Sequence, residues 1–165
     1  MEGKRLVKFS KARPEESLGY MFWQTSNMWQ RKMVKALKPT GLTLVQLVLL
    51  AGVAWLEKEA EEITQVRLAR QAKTDVMMTS QVLKKLESRG LVSKRPGESD
   101  TRVNVVMLTE KGAEKVAKAL RIAEKVDSDF FRPLERNYGE FLTALGTLTR
   151  ANGREGTKSD VPPQE

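Results

Sequence analysis

The sequence predicts a mainly α-helical chain carrying one small two- or three-stranded β wing. Three observations predict it. Apolar residues recur at spacings of three and four over most of the chain. A short helical pattern at 65–71 is separated by only a few residues from a longer one at 75–89. Two segments of strand character, with Pro96-Gly97 between them, follow at once.

The first helix is expected from Ser17 to Leu37, where Leu18, Phe22, Met28 or Trp29, Met33 and Leu37 line one stripe. Pro39-Thr40-Gly41 breaks it. Thr43 and Gln46 have the Thr-x-x-Gln spacing of a capping box, so a second helix opens there and runs almost wholly apolar to Trp55. That helix is expected to be buried on most of its surface. The acidic run Glu57 to Glu62 ends it and, as a poor neighbour for phosphate, is expected to face away from nucleic acid.

Thr64 caps a short helix, Gln65 to Gln71, with Val66, Leu68 and Ala69 as its apolar residues. After Ala72-Lys73-Thr74, Asp75 is an N-cap for a helix to Ser88 or Arg89, and Gly90 stands where a left-handed C-cap belongs. Two helices joined by so short a turn outline a helix-turn-helix. Leu91 to Arg95 and Val103 to Leu108 then form a hairpin around the loop Pro96 to Asp100. Thr109 opens a long helix with Ala113, Val116, Leu120, Ala123 and Phe130 on one side, ending near Pro133. A last helix carries Leu134, Tyr138, Phe141 or Leu142, Leu145 and Leu148.

Composition narrows the function. The 29 Lys and Arg against 21 Asp and Glu give a formal charge of +8, which favours a polyanionic partner. The chain has no Cys and no His, which removes disulfides, thiol chemistry, the commonest soft metal ligands and the usual general base. No tight carboxylate pair, Gly-rich phosphate loop or nucleophile elbow is found, so an enzyme is not expected and no cofactor is called for. The longest apolar run, Leu42 to Leu56, is too short and too polar to span a bilayer, and the N-terminus lacks the apolar stretch of a signal peptide. A cytoplasmic location without membrane contact is the expectation.

On the wheel of the Asp75 to Arg89 helix, Thr79, Val82, Leu83 and Leu86 share the face that docks on the preceding helices. Met77, Ser80, Gln81 and Lys84 share another, offering a soft apolar group, a hydroxyl, an amide and a cation, the kinds of group that read base edges in a major groove. Thr74, Lys85, Arg89 and Lys94 are candidates to hold phosphates, contacts that position a protein without reading sequence. A Ser, Gln and Lys face is also ordinary helix surface. The short preceding helix, the basic flanks and the hairpin that follows single this one out.

The residues from Leu68-Ala69-Arg70-Gln71 through Leu86-Glu87-Ser88-Arg89-Gly90-Leu91-Val92, then Arg95-Pro96, Asp100-Thr101-Arg102 and Leu108-Thr109-Glu110-Lys111-Gly112, closely resemble the MarR family, the multiple antibiotic resistance regulators. The segment ending in Arg95-Pro96 is shared with other winged helices, whereas the Asp-x-Arg of the loop followed by Leu-Thr-Glu-Lys-Gly is much more specific. The resemblance covers roughly residues 17 to 150. It implies a homodimer whose terminal helices interlock and whose two lobes set the 75–89 helix in successive major grooves of a pseudo-palindromic double-stranded DNA site. By the same resemblance the hairpin is a wing, Arg102 reaches the minor groove from its tip, and Asp100 holds Arg102 through a charge-assisted hydrogen bond. Where the family often has Gly near position 73 and a Ser-Pro-Ser-Thr-like start to the recognition helix, this chain has Lys73 and Asp75-Val76-Met77-Met78. An acidic N-cap and paired methionines imply an unusual operator preference.

The expected organisation is a basic flexible arm at 1–16, helical dimerisation regions at 17–42 and 109–150, a winged helix-turn-helix lobe at 43–108 and a disordered tail at 151–165. Family members commonly bind small aromatic acids, so Tyr20, Trp23 and Trp55 are candidates to line an effector pocket. Plain core packing is the simpler reading of the same three rings. The expected function is a transcriptional regulator, a repressor released by a small aromatic ligand. The alternative is a winged-helix module that binds another protein, with the basic charge incidental.

Overall fold

A computed structural model of the chain describes residue 11 and residues 13–59, 62–98 and 103–153. Most of the basic arm, Asp100 and Arg102 in the wing loop, and the tail beyond residue 153 therefore lie outside the described residues.

Eight principal elements follow in the expected order: α1 (Leu18–Leu37), α2 (Leu44–Leu56), α3 (Gln65–Ala72), α4 (Val76–Ser88), β1 (Val92–Pro96), β2 (Asn104–Leu108), α5 (Glu110–Phe131) and α6 (Tyr138–Asn152). Single 3-10 turns at Lys38–Thr40 and Glu57–Glu59 bracket α2. The caps are those the sequence announces. Gln46 N donates to Thr43 Oγ1 at 3.2 Å while Thr43 N donates to Gln46 Oε1 at 3.1 Å, completing the capping box. Thr64, Asp75 and Thr109 each accept a backbone N–H from the residue three positions on. Gly90 takes φ +65° just past α4, where a side chain would be strained.

β1 and β2 pair antiparallel, Val92 opposite Leu108 and Pro96 opposite Asn104. The two- or three-stranded alternative resolves to two strands plus one isolated bridge, Thr64 to Val105, beside which Val106 N donates to Ile63 O at 2.8 Å. Each strand starts one residue later than the sequence suggests. Leu91 is withheld from the ladder because its N–H closes the end of α4 on Leu86 O, at 2.9 Å.

One core joins α1 to α5. Leu37, Leu49, Leu50, Val53, Leu68, Leu83, Leu86 and Val106 are fully buried at its centre, and each such aliphatic side chain contributes about 1.5–3 kcal/mol relative to exposure. On α5 the buried stripe is Gly112, Val116, Ala119 and Ala123. Ala113 faces solvent instead and Leu120 is half-buried, so the stripe is turned from the expected one by part of a residue spacing. Only the second half of the α1 stripe, Met33 and Leu37, is buried, and α6 buries nothing. α2 is less enclosed than its composition suggests, because Val48 and Trp55 lie open. Among the described residues no single helix is long and apolar enough to cross a membrane.

Candidate nucleic-acid interface

The turn between α3 and α4 is built on Lys73, which takes φ +53° and ψ +45°. Lys73 and Thr74 N–H groups return to Arg70 O and Ala69 O at 3.4 and 3.0 Å, closing α3 as a left-handed cap does. A lysine thus occupies a conformation that glycine usually fills. Asp75 Oδ1 then accepts Met78 N–H at 2.9 Å and starts α4.

α4 has two unlike faces. Thr79, Leu83 and Leu86 are sealed against α2, α3 and the wing. Met77 is 74% exposed, and Gln81, Lys84 and Lys85 are also exposed, while Ser80 is half-buried. The predicted base-reading face therefore stands outward, with its hydroxyl the least accessible member.

Most of the predicted phosphate contacts are engaged within the protein. Thr79 Oγ1 donates to Asp75 O at 2.8 Å, so in the 2.8 Å bond between the two hydroxyls Thr74 must be the donor. Its proton is thereby committed to the turn. Arg89 Nη1 donates to Gln46 Oε1 at 3.2 Å, tying the end of α4 to the start of α2. Lys94 Nζ pairs with Glu87 at 2.8 Å and its side chain is largely covered. Lys85 alone of the four remains an exposed cation on α4, next to Lys84.

The acidic run does something the sequence did not disclose. Glu57 Oε1 accepts Leu108 N–H at 2.9 Å, and Glu62 Oε1 accepts Glu98 N–H at 2.6 Å while lying 3.7 Å from Arg95. Glu59 pairs with Arg67 at 2.6 Å. Glu57 and Glu62 thus clasp both strands of the hairpin and the start of its loop, while Glu59 holds α3. Local sequence carries no signal for such pairing across 36 and 51 positions. Acidic residues ahead of a basic hairpin were the only hint.

The aromatic candidates do not converge within one chain. Tyr20 and Trp23 stack on α1 with ring centres 6.3 Å apart, and Trp23 lines a groove of about 210 Å³ with Gln24, Asn27, Met28 and Arg31. Trp55 sits apart on α2 with Lys58 Nζ 5.3 Å from its ring centre. At 39%, 62% and 60% exposed respectively, Tyr20, Trp23 and Trp55 are not core residues either.

An outward polar face on the second helix of a helix-turn-helix, braced by a hairpin, is a DNA-reading geometry. The ArnR1-like winged-helix domain family matches residues 38–127. The HTH-type transcriptional regulator YdcH of Bacillus subtilis is 42% identical over 137 residues, spanning 83% of this chain and 92% of its own. A Mycobacterium tuberculosis MarR family protein, Rv2887, solved in complex with DNA, superposes with TM-score 0.62 at 26% identity, covering 80% of this chain and 97% of that one. This chain belongs to the MarR family of winged helix-turn-helix transcriptional regulators. As a MarR-family member it is a regulator and not an enzyme. The fold extends to CouR of Rhodococcus jostii RHA1, solved with p-coumaroyl-CoA, at TM-score 0.74 and 22% identity over 86% of this chain and 95% of that one. In this MarR-family chain the Leu108-Thr109-Glu110-Lys111-Gly112 motif acts as a joint: Thr109 Oγ1 donates to Gly90 O at 2.7 Å and Lys111 Nζ to Arg89 O at 3.0 Å, fastening α5 to the end of α4.

Proposed function

We propose that this regulator is a homodimeric repressor that sets two copies of α4 in successive major grooves of a pseudo-palindromic operator and is released by a small aromatic ligand. The observation that carries the reading is the outward Met77, Gln81 and Lys84 face of α4, on a helix whose opposite face buries Thr79, Leu83 and Leu86 and packs half-buried Val82 against the core. Base edges in the major groove offer acceptors, donors and thymine methyls, and this face has a partner for each. Lys84 and Lys85 bring positive charge to the same helix.

Dimerisation is supported by apolar surface left open at both ends of the chain: Leu18, Phe22, Leu142 and Leu148 are each more than half exposed. A dimer gives two recognition helices a fixed separation, and DNA requires roughly 34 Å between half-site centres. A ligand that changes the separation by a few ångströms weakens both grooves at once. The Tyr20–Trp23 pair is the aromatic part of the ligand site in this reading, without Trp55, and Arg31, which lines the same groove as Trp23, is a counter-charge for an acid. Repression is argued from Rv2887, named a transcriptional repressor and 28% identical over 134 residues.

In vitro selection of random duplexes tests the reading, and a pseudo-palindrome is the expected product. On that duplex Arg102→Ala, in the wing loop, lowers affinity for operator and non-operator DNA alike, whereas Gln81→Ala mainly lowers their ratio. Unselective recovery, or binding that is flat as salt rises, would transfer the lobe to a protein-binding role.

A further inference from the structure

Resting on that reading, we infer that the first turn of α4 selects thymine through its 5-methyl group, with Met77 and Val76 as the specificity-determining residues. Val76, Met77 and Met78 are 38%, 74% and 37% exposed, an unbroken apolar stretch at the leading end of the recognition helix. Within this turn the one exposed polar side chain is that of Asp75, because Thr79 is buried and its hydroxyl donates to Asp75 O. Its Oδ1 already accepts Met78 N–H, and its other oxygen can accept but not donate. The turn therefore brings no side-chain hydrogen-bond donor to the DNA.

That deficiency discriminates among bases. Guanine presents two acceptors, N7 and O6, to the major groove. Beneath this turn both would lose water without gaining a side-chain donor, and both would face the Asp75 carboxylate. Thymine presents the one apolar group in the groove, its 5-methyl. Met77 is unbranched and adaptable enough to close over it, and Val76 supplies a stiff wall. Donors return beyond the turn, at the half-buried Ser80 hydroxyl and then at exposed Gln81 and Lys84, so acceptor-rich bases are read there. The half-site is thus divided, methyl-bearing under the start of α4 and acceptor-bearing under its middle.

The surrounding charge argues for DNA as the occupant of this apolar tip rather than a second protein surface. Arg70 and Lys73 before it and Lys84 and Lys85 after it are all exposed, and a contact with a second copy of this tip would bring four cations of each chain together against one Asp75 carboxylate apiece.

The experiment uses the full chain and the duplex recovered by selection, in which each thymine is replaced in turn by deoxyuridine. Wild type is expected to lose about fourfold in affinity at one or two thymines per half-site, the effect of one buried methyl. Met77→Ala and Val76→Ala should bind the thymine and uracil duplexes equally at those positions, with unchanged melting temperatures, while Gln81→Ala keeps the wild-type ratio. If no uracil substitution weakens wild type, or if Met77→Ala and Val76→Ala retain the full discrimination, the inference is overturned. A change of sedimentation in Met77→Ala without a change of that ratio would assign the tip to a chain–chain contact. A selection that enriches no duplex removes the DNA reading beneath it.

Discussion

Gly112, the third residue of α5, lies directly on the carbonyl of Leu91: a Cβ at this position would sit 1.9 Å from that oxygen. The same carbonyl accepts Thr109 N–H at 3.2 Å. Leu91 comes three residues after the last residue of the recognition helix and α5 leads on to α6, so the two regions meet backbone to backbone. No flexible side chain separates them. A contact of this rigidity is what the proposed ligand-release mechanism requires of the link between α5 and α4.

Gly112→Ala forces that junction apart. Backbone cannot yield as a side-chain tip can, so the variant should lose about 1–3 kcal/mol of stability, lowering the melting temperature by several degrees. Operator affinity should fall as α4 is displaced. An unchanged thermal denaturation curve would show that the approach has room to relax.

Lys73→Gly should act in the opposite sense. The left-handed conformation at Lys73 costs about 1–2 kcal/mol for a residue with a Cβ, and glycine returns only part of this through the entropy of the unfolded chain. A net gain of about 0.5–1 kcal/mol is expected in denaturant unfolding. A loss would mean that the lysine side chain makes compensating contacts in the folded protein.

Arg89→Ala separates a structural cation from a DNA-binding one. Because the guanidinium is bonded to Gln46, its removal should cost about 1–2 kcal/mol of stability and leave the Gln46 carbonyl with Thr43 N–H alone. The salt dependence of DNA binding should keep its slope. Lys85→Ala should do the reverse, lowering the slope by about one with little effect on folding. A shallower slope for Arg89→Ala would return that residue to the phosphate.

What could be read in advance follows from range. Caps at Thr43, Thr64, Asp75 and Thr109 depend on residues three apart, and all of them form. The buried face of α4 depends on helical period alone, and Thr79, Leu83 and Leu86 lie where it puts them. The engagement of Thr74, Arg89 and Lys94 was not legible, because their partners are set by packing: a wheel shows which side a residue faces, not which hydroxyl, amide or carboxylate waits there. The clasp of the hairpin by Glu57 and Glu62 was hidden for the same reason. The exposure of Tyr20, Trp23 and Trp55 marks a different limit, since an aromatic on an apolar helix reads as core whether its cover comes from the same chain or a second copy.

That cover is the last matter open to test. α6 meets α5 where Phe131 contacts Phe141, with ring centres 6.2 Å apart, and it buries no residue of its own. α1 leaves Leu18 89% and Phe22 63% exposed at its free end. In the proposed homodimer these two apolar faces meet across a two-fold axis. Phe22→Asp and Leu142→Asp each place a carboxylate on such a face, and burying it without a partner costs several kcal/mol. Both variants should sediment as monomers at concentrations where the wild type is a dimer, with the lobe's core at Leu50, Leu68 and Leu83 untouched. Operator affinity should fall on the order of a hundredfold as the second half-site ceases to be an intramolecular contact, while binding to an isolated half-site is unchanged. Wild-type protein that sediments as a monomer, or charged variants that remain dimers, would place the subunit contact elsewhere or remove it.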